Sequence, residues 1–162
     1  MELFLVRHGI AEDLGDSKIG PRHDSERRLT EKGIERCEEV AKFLQKRQPD
    51  LDKIIHSPYL RAVETAKIFS QLWPKAAVLE RAGFLPMDST KKSLAVIESE
   101  TTHIRSLMVV GHEPHLSHLL GLLLTGNSVS FVAMKKAGIA HVEWDEFGGT
   151  RLLALIPPKY SL

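Results

Sequence analysis

The stretch Leu3-Phe4-Leu5-Val6-Arg7-His8-Gly9 decides the fold. Its first four residues form a continuous apolar run, which is typical of a strand buried on both faces of a parallel sheet. A cation, an imidazole and a glycine close the run. Because parallel α/β sheets bind ligands beyond the carboxyl ends of their strands, this strand end is the first candidate functional position.

The rest of the chain alternates short apolar runs with segments of 3.6-residue periodicity. This order predicts an α/β fold, a three-layer α/β/α sandwich with a mostly parallel sheet and a C-terminal antiparallel hairpin. Further strands are expected over 53–56, 76–79, 107–110, 139–144 and 151–156. Helices are expected from the N-cap Thr30 to before Pro49, from Ser57-Pro58 to about residue 72, over 89–100 and from Pro114 to Leu124.

Two local expectations accompany these elements. In the first helix, Ile34, Cys37, Ala41 and Leu44 follow 3-4-3 spacing and are expected on its buried face. The polar stretch 12–28 is expected to be a loop.

Composition excludes several classes of protein. A length of 162 residues with 43% hydrophobic and 27% charged residues predicts one globular domain over 1–162, not a disordered chain. The net charge of +1 argues against nucleic acid or membrane as a partner. The single cysteine, Cys37, excludes an intramolecular disulfide and fits a reducing cytoplasm. The apolar runs are too short for a signal peptide or a membrane span, so a soluble cytoplasmic protein is expected.

Polar residues follow the three most clearly predicted strands. If these strands are neighbours, two histidines, two arginines and two helix N-termini converge on one crevice, which suits a phosphate dianion. The segments that meet there are Arg7-His8-Gly9, His56-Ser57-Pro58 with Arg61 one turn on, and Gly111-His112-Glu113-Pro114. One histidine must be neutral to attack phosphorus, and flanking guanidiniums lower its pKa. The other histidine donates a hydrogen bond as charge builds up on the oxygens.

A metal site is the alternative reading of the histidines. His112, His115 and His118 are spaced by three, but a zincin motif needs its second histidine at position 116, which is leucine. A two-histidine site completed by Glu12 or Asp16 remains an alternative. Other polar residues have structural readings: Cys37 is expected to fill the core and His56 to be a structural or rim residue.

Four segments together resemble the histidine phosphatase superfamily, also called phosphoglycerate mutase-like, and within it the small SixA-type phosphohistidine phosphatases. They lie within residues 3–114 in the family's order, and they are Leu5-Val6-Arg7-His8-Gly9, Arg28-Leu29-Thr30-Glu31-Lys32-Gly33, residues 57–66 beginning Ser57-Pro58-Tyr59-Leu60-Arg61, and Val109-Val110-Gly111-His112-Glu113-Pro114.

The resemblance implies roles for the matching residues. His8 would be the nucleophile that becomes phosphohistidine, Arg7 and Arg61 would hold the phosphoryl oxygens, and His112 would complete the pocket. Arg28 is expected at the edge of the pocket as a further substrate-binding residue. The resemblance implies no cofactor and no metal ion.

A general acid is less clearly marked. Glu80 and Glu113 lie near the places where related enzymes carry one, but neither sits in the full surrounding pattern. Because a phosphohistidine leaving group needs a proton less than an alkoxide does, a weak acid favours phosphohistidine as substrate.

These inferences give a leading hypothesis and three alternatives. The leading one is metal-independent hydrolysis of a histidine-phosphorylated protein through a covalent phosphohistidine on the enzyme. The alternatives are a small-molecule phosphomonoesterase, a mutase and a non-catalytic phospho-ligand binding module. A basic rim that recruits an acidic partner is a weaker expectation than a solvated surface, and its residues would be Lys18, Arg22, Arg27, Arg28, Lys91 and Lys92.

Overall fold

The computed structural model of the protein describes residues 1–15, 23–145, 147 and 149–160. Within these residues the strands are β1 (Glu2–Arg7), β2 (Lys53–His56), β3 (Ala77–Glu80), β4 (Ser106–Gly111), β5 (Ile139–Glu143) and β6 (Arg151–Ile156). The α-helices are α1 (Glu31–Gln45), α2 (Leu60–Ser70), α3 (Thr90–Glu100) and α4 (His115–Thr125). Short 3-10 helices cover Asp24–Glu26 and Pro158–Tyr160.

The strands form one sheet in the order β3-β2-β4-β1-β5-β6. The first four are parallel to one another, whereas β5 runs antiparallel to β1 and β6 antiparallel to β5. This topology confirms the predicted α/β fold with a mostly parallel sheet and a C-terminal hairpin. It also places β2, β4 and β1 side by side, so their carboxyl ends meet at one edge, with Arg7 in register with Gly111 and His56 with Val110.

The core forms two apolar layers, one on each face of the sheet. Phe4 and Val6 of β1 pack with α1 and α2, whereas Leu3 and Leu5 pack with α3 and α4. The alternation along β1 follows from the two-residue period of a strand, and burial of both faces explains why its sequence is continuously apolar. Helices therefore cover the sheet on both sides, which makes the predicted three layers.

The first helix departs from its predicted face by one position. Thr30 caps α1 as expected, because its Oγ1 accepts a hydrogen bond from the Gly33 N–H at 3.0 Å. Ile34, however, is 40% exposed, and Gly33 takes the inward place. A Cβ on Gly33 would lie 2.1 Å from the Ile10 carbonyl oxygen, so only glycine lets the helix approach the β1 end this closely.

Two helix starts and the polar stretch also differ from expectation. The second helix begins at Leu60 with Tyr59 as N-cap, and not at Ser57-Pro58, while Pro114 is the N-cap of α4 and not its first residue. The expected loop over 12–28 contains a 3-10 helix over Asp24–Glu26, and its residues 16–22 lie outside those described. In the described part of the chain, no helix has the length and apolar character needed to cross a bilayer.

Candidate active site

The sheet brings the two predicted histidines and one predicted arginine into a single buried cluster. The imidazole centroids of His8 and His112 lie 5.1 Å apart, and Arg61 Nε donates a hydrogen bond to His8 Nε2 at 3.2 Å. All three residues are at most 5% exposed. The convergence that the strand ends predict is therefore present, because β4 lies between β1 and β2.

Backbone contacts determine which nitrogen of His8 is free. Nδ1 lies 2.7 Å from the carbonyl oxygen of Gly9. Since a carbonyl only accepts, Nδ1 carries the proton and Nε2 keeps its lone pair, which accepts the hydrogen bond from Arg61. The pKa of His8 is lowered to about 3, mainly by burial; the hydrogen bond to Gly9 opposes this shift, and the positive charges of Arg61, Arg7 and Lys136 add to it. His8 is thus neutral near pH 7, with a lone pair on Nε2.

Gly9 allows α1 to pack directly behind His8. A Cβ at this position would lie 2.6 Å from Cys37 Sγ and 3.1 Å from the Gly33 carbonyl oxygen. The Gly9 N–H donates to Thr65 Oγ1 at 3.1 Å, and the same hydroxyl donates to the Arg61 carbonyl at 2.7 Å. One buried hydroxyl therefore ties the His8 loop to the helix that carries Arg61.

Cys37 is a core residue, as the sequence predicts. Its thiol is fully buried, and burial raises its pKa to about 12. The thiolate, which is the nucleophilic form, is therefore not populated at neutral pH.

Arg7 is held by a loop on the far side of β1. Its Nη1 donates to the Met134 carbonyl oxygen at 2.7 Å, and its Nε is buried without a hydrogen-bond partner among the described residues. Glu113 fastens the same loop, because its Oε1 accepts the Met134 N–H at 3.1 Å while its Oε2 accepts the Ser117 hydroxyl at 2.6 Å. Both oxygens of Glu113 act as acceptors, which is a positioning arrangement and leaves a general-acid role for Glu113 only a prediction.

Asp24 contacts the cluster and was not found by sequence reasoning. Its Oδ2 accepts from Arg61 Nη2 at 2.9 Å, its carbonyl oxygen accepts from Arg61 Nη1 at 2.6 Å, and its Oδ1 accepts from Arg27 at 2.9 Å. Burial alone would raise the pKa of Asp24, but the hydrogen bonds from Arg27 and Arg61 hold it below its usual value. An ionised carboxylate thus orients the Arg61 guanidinium. No local spacing marks Asp24, since 37 residues separate it from Arg61.

His112 is fixed through a side chain from another strand end. Its Nε2 lies 2.7 Å from Ser57 Oγ, and its Nδ1 is buried without a partner among the described residues. The pKa of His112 is lowered to about 2, mainly by burial and to a smaller extent by the nearby His8 and Arg61, while Asp24 opposes the shift. Ser57 does not cap α2 as predicted, because its hydroxyl is fully buried against this imidazole and the helix starts three residues later.

The remaining predicted residues with described side chains form no hydrogen bond or ion pair with His8, Arg61 or His112. Arg28 has a side chain that is 69% exposed, and its ion-pair partner is Glu64 at 4.0 Å, whose carboxylate also accepts the Leu29 N–H. Glu80 is exposed at the end of β3, the edge strand, with β2 between it and β4. His56 is buried, and its Nδ1 contacts the Ser57 carbonyl at 3.0 Å, which fits the structural role expected for it. Of the predicted basic rim, positions 18 and 22 lie outside the described residues.

The histidines of α4 do not share a site with His112. His115 Nε2 is hydrogen-bonded to Ser93 Oγ at 2.8 Å, and His118 Nδ1 lies 3.3 Å from the Ser128 carbonyl oxygen. Among the residues with described positions, no three histidine, cysteine, aspartate or glutamate side chains come close enough to hold a metal ion. Asp16, one of the ligands considered from sequence, lies outside these residues.

Comparison with known proteins identifies the family. The model described as "Histidine phosphatase superfamily (branch 1)" matches residues 3–85, which include Arg7, His8 and Arg61. The chain belongs to the histidine phosphatase superfamily. Membership in this superfamily makes the protein a phosphatase, and it confirms the resemblance drawn from the sequence motifs.

Two curated relatives and two solved structures illustrate its place among histidine phosphatases. An uncharacterised protein of Picosynechococcus sp. is 37% identical over 142 residues, covering 86% of this chain and 82% of the relative. Phosphohistidine phosphatase SixA of Escherichia coli K12 is 26% identical over 152 residues, covering 91% and 88%.

The structure of the protein histidine phosphatase SixA complexed with tungstate matches with a TM-score of 0.84 at 22% identity, covering 99% of each chain. The α-ribazole phosphatase from Shigella flexneri matches with a TM-score of 0.77 at 17% identity, covering 98% of this chain and 97% of that one. The two structures show that the fold is that of histidine phosphatases.

Proposed function

We propose that this histidine phosphatase removes the phosphoryl group from a histidine-phosphorylated protein, with His8 as the nucleophile. The observation that carries the proposal is the state of His8, which is neutral, fixed through Nδ1 by Gly9, and bears its Nε2 lone pair beside the Arg61 guanidinium. The choice of substrate is supported by the likeness over most of both chains to a relative named phosphohistidine phosphatase SixA.

In the first step, the Nε2 lone pair of His8 attacks phosphorus in line with the leaving group. A new N–P bond forms as the P–N bond of the substrate breaks, and the electron pair of that bond goes to the leaving imidazole, which takes up a proton from solvent. Arg7, Arg61 and His112 stabilise the equatorial oxygens. Arg7 Nε and His112 Nδ1, which have no hydrogen-bond partner among the described residues, are the donors that an entering phosphoryl group would satisfy.

In the second step, water attacks the phosphorus of phosphohistidine-8. The P–N bond to His8 breaks, its electron pair returns to Nε2, and inorganic phosphate leaves as H2PO4⁻ with both protons of the attacking water. His8 returns to the neutral state in which it began. As proposed, neither step uses a metal ion or a cofactor.

The surroundings of the two candidate acids, Glu113 and Glu80, favour phosphohistidine over an alkyl ester as the substrate. An alkoxide needs a well-placed proton donor, whereas an imidazole is a much better leaving group. Both oxygens of Glu113 accept hydrogen bonds from other groups, and Glu80 is exposed on the edge strand. The cytoplasmic location expected from the single cysteine belongs to this proposal.

The test compares kcat/KM for a histidine-phosphorylated protein with kcat/KM for a small alkyl phosphate, both in excess chelator. We expect a strong preference for the phosphohistidine protein, abolished in His8→Ala. The matched control is His118→Ala, which removes a histidine of α4 outside the cluster and should keep the wild-type rate. A preference for the alkyl ester would overturn the proposed substrate, and loss of both reactions in chelator would overturn the metal-independent steps.

A further inference from the structure

The loop of residues 134–138, which precedes β5, is fastened to the end of β1 by main-chain hydrogen bonds. The Ala137 N–H lies 3.1 Å from the carbonyl oxygens of both Arg7 and His8, and the Arg7 N–H donates to the Gly138 carbonyl at 3.0 Å. On the other side of the loop, the Met134 carbonyl accepts from the Arg7 guanidinium. Residue 136 is therefore held next to His8 by contacts before and after it.

Backbone strain occurs directly after residue 136. Ala137 has φ of +62° and is fully buried, although this left-handed region disfavours residues with a Cβ. The next residue is Gly138, where a Cβ would lie 2.8 Å from the Lys135 carbonyl oxygen. Strained backbone of this kind persists where the surrounding structure demands it and is concentrated at functional sites. The strained turn therefore marks this loop as a candidate part of the site.

The loop carries two lysines that differ in their surroundings. Lys136 is half-buried, and its ammonium makes no hydrogen bond or ion pair with the part of the chain that the structure describes. It lies close enough to His8 that, after burial and together with the two arginines, it lowers the pKa of that histidine. Lys135 is exposed and borders a cavity of about 460 Å³ beside the end of β6.

We propose that Lys136 is a third cationic substrate-binding residue, whose ammonium binds a non-bridging oxygen of the phosphoryl group at His8. The proposal rests on the proposed function, since it assigns this lysine to the phosphoryl site described above. A phosphoryl group in transfer spreads its charge over three equatorial oxygens. Arg61 already shares its guanidinium with Asp24, so a further cation, unpaired within the described part of the chain, adds charge where the anion arrives. Lysine suits this place because its ammonium acts as a compact point charge with three donors.

The experiment measures binding of inorganic phosphate by calorimetry to wild type, Lys136→Gln, Lys136→Arg and the matched control Lys135→Gln. We expect Lys136→Gln to bind phosphate roughly tenfold more weakly, because one charge-assisted hydrogen bond is lost. Lys136→Arg should recover most of the affinity, and Lys135→Gln should stay within about twofold of wild type. Each titration is repeated at high salt. A difference in phosphate affinity that comes from a direct contact with Lys136 should persist there, whereas one that comes from its long-range charge should be screened. Thermal unfolding of each variant confirms that it is folded.

Equal phosphate affinity in Lys136→Gln and Lys135→Gln, or a difference that vanishes at high salt, would overturn the assignment of Lys136. That result, found together with phosphohistidine turnover by wild type and none by His8→Ala, leaves the proposed function standing. A wild-type protein that neither binds phosphate nor turns over phosphohistidine would overturn both.

Discussion

The two histidines of the site are held by opposite ring nitrogens. His8 is fixed through Nδ1 by the carbonyl of the next residue, Gly9, so its free nitrogen is Nε2. His112 is fixed through Nε2 by Ser57, a residue 55 positions away, so its free nitrogen is Nδ1. The orientation of His8 is therefore encoded within its own motif, whereas that of His112 exists only after β2 and β4 have paired.

This difference separates the roles of two residues that are alike in burial. The positive charges that act on His8 come from Arg61, Arg7 and Lys136, and they favour a neutral ring with a nucleophilic lone pair. At His112, the buried Ser57 hydroxyl donates to Nε2 if Nδ1 carries the proton, and Nδ1–H is then a donor toward a phosphoryl oxygen. We therefore expect that substitution of His8 removes the attacking group, and that substitution of His112 weakens the stabilisation of charge on the phosphoryl oxygens.

The largest effect is expected for His8→Ala. Removing the proposed nucleophile should lower kcat by about 10⁴-fold or more, because the proposed covalent intermediate on His8 could no longer form. The measurement is acid- and base-quenched analysis of the enzyme after mixing with substrate. Wild type should show a base-stable, acid-labile phosphoenzyme, and His8→Ala none. A folded His8→Ala protein that still becomes phosphorylated would place the nucleophile elsewhere.

His112→Ala is expected to cost less and to act differently. Its kcat/KM should fall by about 10² to 10³, the size seen when one donor to a developing oxyanion is lost. The phosphoenzyme should still form on His8, only more slowly, which single-turnover kinetics measures. If His112→Ala formed no phosphoenzyme at all, or kept a rate within twofold of wild type, the proposed division of roles would be wrong.

Sequence reasoning reached the parts of the site that are encoded locally. The apolar run of β1 and the polar residues at its end lie within seven consecutive positions, so the strand pattern alone predicts Arg7 and His8 as candidate site residues. Arg61 and His112 follow in the same way from the ends of the strands predicted over 53–56 and 107–110, and the family resemblance agrees with both. The convergence of their side chains requires β1, β2 and β4 to be neighbours in the sheet, and the sheet order shows that they are.

Contacts between residues that are distant in the sequence could not be predicted from the sequence alone. Ser57 matched a helix cap because its local pattern is that of a cap, yet its hydroxyl binds His112. Asp24 and Lys136 lie in polar or irregular stretches with no periodicity, and both reach the site only through folding. Ile34 was expected on the buried face of α1 and is exposed. Apolar spacing identifies the buried face of a helix only approximately, and it does not show that Gly33 is where the helix comes closest to the end of β1.

Ser57→Ala tests whether the fixing of His112 depends on that hydroxyl. Loss of the partner at Nε2 should lower kcat roughly tenfold with little change in KM, because the imidazole loses a hydrogen bond that orients it. Ser57→Thr keeps a hydroxyl and should restore most of the rate. The second readout is the tautomer of His112 by nitrogen NMR, which should be Nδ1–H in wild type and mixed in Ser57→Ala. An unchanged tautomer and rate in Ser57→Ala would show that Ser57 only packs against the ring.

The last prediction concerns stability in acid, where the two histidines should behave alike. Their pKa values are about 3 and about 2 in the folded protein against 6.5 when unfolded, so below pH 6.5 the unfolded chain binds more protons. The free energy of unfolding should therefore fall as the pH is lowered from 7 toward 4, by on the order of 1 kcal/mol per pH unit for each histidine. Urea unfolding at pH 7, 6 and 5 measures the slope, and His112→Gln should make it shallower. A slope that is the same in His112→Gln and wild type would mean that His112 becomes protonated in the folded state, and the donor role assigned to its neutral ring would then fail while that of His8 would not.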